Sequence, residues 1–146
     1  MKRFETTKDR EEELRMGQAY CECFPEHFVK QQDFYSAYDF KRFDARTGIQ
    51  NGWLEVKMKS DFFDQWEVFP MPKVNFTRHT PLPCYFLVER TNRAKLFDMT
   101  DIVRKLDSGH RAVITKEMRR KDRDEQDQIW TVIMFPSEWG KDIYYL

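Results

Sequence analysis

The chain has little cysteine, little glycine, no surplus of charge and no long apolar run. Its three cysteines include Cys21-x-Cys23 but no Cys-x-x-Cys pair, so neither a disulfide framework nor a zinc site is legible. The apolar runs CYFLV (84–88) and IWTVIMF (129–135) fall far below the roughly 20 residues of a membrane helix. The opening MKRFETTKDREEE has no apolar core of the secretory kind, so a reduced, cytoplasmic protein without a membrane partner is expected. Basic and acidic side chains number 25 each, which excludes coating nucleic acid by bulk positive charge. A local phosphate-binding groove survives that exclusion. No repeat, low-complexity tract or Gly/Ser linker divides the 146 residues, and a single domain over 1–146 is expected. What is abundant is aromatic: 13 Phe, 6 Tyr and 4 Trp supply the bulk of a packed core.

Periodicity organises the chain. Residues 6–24 read as a helix, with Leu14, Gly17, Cys21 and Phe24 on one stripe and Glu11, Glu12 and Glu13 at its positive end. Pro25 ends it, and EHFVKQQ (26–32) reads as a short turn. From residue 33 the period becomes two: DFYSAYDFKRF and WLEVKMKS read as a hairpin, joined by turn chemistry at Gly48 and Asn51-Gly52. WEVF (66–69) reads as a short strand, whereas Pro70, Pro72, Pro81 and Pro83 predict a stiff loop or edge segment. CYFLVER and AKLFDM make a second hairpin. Asp98 or Thr100 caps a helix over TDIVRKLDS that Gly109 ends, RAVIT and IWTVIMF are strands, and KEMRRKDRDEQDQ is a charged loop. The predicted fold is α/β, a single mixed β-sheet flanked by helices.

The chemistry concentrates between Asp39 and Lys57. In WLEVKMKS, alternation sends Leu54, Val56 and Met58 to a buried face and Glu55, Lys57 and Lys59 to an open one. Asp39 sits on the preceding strand, where hairpin pairing can bring its carboxylate beside Glu55. Two carboxylates hold Mg²⁺ or Mn²⁺ through hard oxygen donors, and the Val56 carbonyl is a further ligand within reach. Lys57 beside such an ion can orient an attacking water or stabilise developing negative charge. The Glu-x-Lys tripeptide carries no weight alone: 12 Glu and 12 Lys in 146 residues predict about one by chance, and one is found. Its context is the signal.

That context, YDF (38–40) followed by LEVK (54–57) after an acidic helix, resembles the PD-(D/E)xK nuclease superfamily, with Tyr38 standing where the motif has its proline. The resemblance implies a restriction-endonuclease-like αβββαβ core over about residues 10–115 and a metal-dependent hydrolysis of phosphodiester bonds, in DNA more than RNA. It assigns Asp39 and Glu55 as metal ligands and Lys57 as the catalytic lysine. Glu13 and Glu22 compete for the further acid that many members carry on the first helix. A chain of this size suits a homodimer that cuts both strands, and a phage or mobile-element nuclease.

The plain alternatives are specific too. Glu55 and Lys57 also fit a solvated strand face with cross-strand pairs to Lys41 and Asp39, which would make the protein a non-catalytic nucleic-acid- or protein-binding module. A structural protein assembling through its aromatic surface is a third class. Cys21, Cys23 and His27 read as packing residues, and His79 and His110 as loop residues. Around the hairpin, Lys41, Arg42, Arg46, Lys57 and Lys59 form a basic set for nucleic-acid phosphates. Lys73, Arg78 and Arg90 join it from the proline-rich segment, with Trp66, Phe69 and Phe76 interleaved either for base stacking or as core.

Overall fold

A computed structural model of the chain describes residues 27–30, 38–58, 65–90, 93–121 and 127–143. The helix expected over 6–24, with Glu13, Glu22, Cys21 and Cys23, lies outside the described residues, as does Lys59. Among the described residues no helix is long and apolar enough to cross a membrane.

The architecture is mixed α/β, but its strands form two sheets where one was expected. Strands β1 (His27–Lys30), β2 (Phe40–Phe43) and β3 (Gln50–Met58) form an antiparallel meander. Strand β5 (Cys84–Arg90) lies parallel to β3, and β6 (Arg93–Asp98) and β9 (Lys141–Ile143) complete a six-stranded sheet in the order β1-β2-β3-β5-β6-β9. Strands β4 (Trp66–Pro70), β8 (Asp127–Pro136) and β7 (Ile114–Lys121) form a second, antiparallel sheet in the order β4-β8-β7. The pairing of β4 with β8 joins segments far apart in the chain, and local periodicity carries no record of it. The core fills the space between the sheets: Phe69 meets Phe86 at 4.9 Å between ring centroids, and Phe97 meets Phe135 at 5.2 Å.

Several local expectations change. EHFVKQQ contains strand β1 instead of a turn. Of the strand expected over 33–43, residues 33–37 lie outside the described residues, Tyr38 and Asp39 form a bend, and strand runs over Phe40–Phe43. The proline-rich segment is a helix, α1 (Met71–His79), not a loop. Pro70 occupies its N-cap and Pro72 its first turn, where a missing N–H leaves no bond unmade; Pro81 falls beyond its end. Arg78 and His79 complement the negative end of the helix dipole. Of the charged stretch expected as a loop, residues 116–121 lie in edge strand β7 and 127–128 in β8. Lys116, Glu117 and Arg119 of β7 hide the strand signal and protect an open edge. RAVIT contributes only its last two residues to that strand, residues 111–112 being a turn.

Other expectations hold. The β2–β3 hairpin turns at Asp44, whose Oδ1 accepts the Arg46 and Thr47 amides at 2.7 and 3.1 Å, and at Gly48 with φ +69°. Asn51-Gly52, however, lies within β3. The Pro83 carbonyl packs there so closely that a Cβ on residue 52 would stand 2.9 Å from it. Helix α2 (Met99–Asp107) is capped by Asp98, whose carboxylate accepts the Asp101 amide at 3.1 Å. The Thr100 hydroxyl instead accepts the Cys84 amide.

Candidate active site

The site forms where β2 begins against the middle of β3. Register pairs Phe40 with Leu54 and Lys41 with Trp53, so the next pair in that series is Asp39 with Glu55. At that step side chains take over from the ladder. The Asp39 amide donates to Glu55 Oε1 at 3.1 Å, and the Val56 amide donates to Asp39 Oδ2 at 3.3 Å. Each acid is thus fixed by, or fixes, the other strand's backbone, and the two carboxylates share one small volume.

Strand β3 departs from the open-faced strand that its alternation predicts. Leu54 and Val56 are buried on one face with Phe40 and Leu87, as expected. The opposite face is covered as well, by the second sheet and α1, so Glu55 is only 2% exposed. Parallel neighbours such as β3 and β5 are characteristically buried on both faces. Lys57 lies beyond this cover and is exposed. Met58, expected inside, is 44% exposed at the strand's end.

Burial pushes the Glu55 carboxyl above the usual carboxylate range, and the Asp39 charge pushes it further. Lys73 and then Lys57 oppose the shift. Lys73, expected among the phosphate-binding cations, is instead buried against Glu55. From the first turn of α1 its Nζ reaches Glu55 Oε1 at 2.9 Å, itself only 7% exposed, and it stands 5.9 Å from the centre of the Tyr38 ring. The ion pair that the surface-cluster reading assigned to Lys41 is made by Lys73, out of solvent. The Tyr38 hydroxyl and Thr77 Oγ1 are 2.6 Å apart, and Thr77 donates in turn to the Lys73 carbonyl at 2.7 Å; this chain seats α1 against the bend before Asp39. A legible signal existed: two prolines one residue apart mark a helical first turn, and Lys73 follows them directly.

Glu67, the other fully buried acid among the described residues, makes an instructive contrast. Both its oxygens are engaged, by Arg90 at 3.0 and 3.1 Å and by Ser137 at 3.0 Å. The two bonds to Glu55 both fall on Oε1, and Oε2 makes none among the described residues. Glu67 is a clip between the sheets, whereas Glu55 retains an acceptor.

The expected basic set is divided. Lys41 pairs with Trp53 and shares the Glu55 side of the sheet. Arg42 lies on the other face, its guanidinium 5.0 Å from the centre of the Tyr85 ring. Arg78 is engaged with Asp107 and Arg90 with Glu67. Phe69 is core and Phe76 packs against it, while Trp66 is 36% exposed. His79 Nδ1 lies 2.7 Å from the Asn75 carbonyl, and His110 packs edge-on to Trp139.

Carboxylate oxygens are the right donors for a hard divalent ion, and both bonds to Glu55 among the described residues fall on Oε1. The protein's own contribution is two acids: among the described residues no three His, Cys, Asp or Glu gather as a metal cluster. No protein-family model matches the chain, and no curated protein or solved structure matches it either.

Proposed function

We propose that the protein is a metal-dependent nuclease of the PD-(D/E)xK kind, hydrolysing phosphodiester bonds in DNA in preference to RNA. The observation that carries this reading is the reciprocal bonding of Asp39 and Glu55, which holds two carboxylates together. The antiparallel meander β1-β2-β3, followed by a crossover through α1 to β5 parallel to β3, supports it. Asp39 and Glu55 would hold Mg²⁺ or Mn²⁺ with the Val56 carbonyl as a third donor, and the ion would polarise the phosphoryl oxygen. Lys57, exposed two residues along the same strand, supplies a cation to steady the attacking water or the developing negative charge. Lys41 lies on the same side of the sheet, where it can contact the phosphate backbone.

One observation favours the rival reading, a binding module without catalysis: the Lys73 ammonium already pairs with the Glu55 carboxylate. Thermal melts with Mn²⁺ separate the two. The nuclease reading expects Mn²⁺ at a hundredfold above its Kd to add about 2.7 kcal/mol of stability, and Glu55→Gln to abolish the gain. A wild-type protein indifferent to Mn²⁺ would favour the module.

A further inference from the structure

We infer that Lys73 is the site's resident counter-ion, which holds the acid pair together when no metal is bound and sets how tightly a divalent cation binds. The inference rests on the metal-site reading above. Its basis is the position of the ammonium. Lys73 Nζ stands 2.9 Å from Glu55 Oε1, the oxygen that also accepts the Asp39 amide. Glu55 and Asp39 are 2% and 5% exposed, so solvent does little to screen their repulsion.

Lys73 is held in place rather than left to wander. It sits in the first turn of α1, its carbonyl takes the Thr77 hydroxyl, and Thr77 contacts Tyr38, the residue before Asp39. Exposed Lys57 lies on the Glu55 strand but outside this enclosure. The two lysines therefore divide the work: Lys73 balances charge within the site, and Lys57 faces the side from which substrate arrives. A divalent ion bound by Glu55 and Asp39 must share their field with the Lys73 ammonium or displace it. Lys73 is thus a positioning residue that keeps the empty site folded at the expense of metal affinity.

The test is Mn²⁺ titration calorimetry on wild type, Lys73→Met and Lys73→Arg. Lys73→Met should bind Mn²⁺ tighter by on the order of tenfold or more, and its melting temperature should fall without metal and recover with it. Lys73→Arg keeps the charge and should bind within about threefold of wild type. A merely structural lysine gives the opposite sign, because a disordered site binds metal more weakly. Equal or weaker Mn²⁺ binding by Lys73→Met, with wild type binding normally, overturns the inference and leaves the nuclease reading standing. Loss of Mn²⁺ binding in all three proteins overturns both. If Lys73→Met does not fold, Lys73→Gln is read in its place against the same tenfold expectation.

Discussion

Asp39 and Glu55 are joined across the start of a hairpin by a hydrogen bond from the backbone of one to the side chain of the other, 3.1 Å long. The bond continues the β2–β3 pairing by one step after the ladder has stopped. It makes the acid pair a consequence of hairpin register: any slip of one residue would turn one acid to the far face.

Removing the Asp39 carboxylate strands a donor. Asp39→Ala leaves the buried Val56 amide without its 3.3 Å acceptor and is expected to cost about 1–3 kcal/mol. Asp39→Asn keeps an oxygen there and is expected to cost less, while losing the charge that a metal needs. Urea unfolding of the two variants checks this, and equal losses would show that the bond contributes nothing.

The clip between the sheets is expected to behave as a buried ion pair. Arg90→Met leaves Glu67 charged, fully buried and short of its two guanidinium bonds, a loss of about 3–5 kcal/mol. Adding Glu67→Gln should recover most of it, because the uncompensated charge is then gone. A double-mutant cycle in urea reads the coupling, and additive losses would contradict it.

Alkali should weaken the fold in two pH steps. Burial raises both the Cys84 thiol and the Tyr38 phenol above their ordinary values. The folded chain then keeps protons that the unfolded chain gives up, from about pH 8.5 for a thiol and about pH 10 for a phenol. Stability is unaffected by these groups below that range and falls as pH rises through it. Stability curves between pH 7 and 11 should therefore slope downward, with Cys84→Ala flattening the lower part. An unchanged slope in that variant would contradict the assignment.

The sequence made the site's frame readable and its interior unreadable, for separate physical reasons. Alternation around Leu54 and Val56 located β3, and Gly48 marked its turn, because both signals are local. Asp98 and Gly109, at φ +80°, marked the ends of α2 in the same way. The burial of Glu55 escaped because it depends on a second sheet built by β4 and β8, whose partnership no local pattern encodes. The pairing of Lys73 with Glu55 is hidden because it needs a helix where prolines read as breakers, although at an N-cap and a first turn they start one. The candidate acid on the first helix, Glu13 or Glu22, lies outside the described residues.

Metal-dependent strand cleavage tests the central claim most directly. Supercoiled plasmid and single-stranded DNA are incubated with wild type, Asp39→Asn and Lys57→Met, with Mg²⁺ or Mn²⁺ and with chelator. The account predicts cleavage by wild type only with the ion, none by Asp39→Asn, and a fall of roughly 10²–10⁴-fold in Lys57→Met. Cleavage that persists in both variants, or none by a folded wild type that binds Mn²⁺, would contradict it.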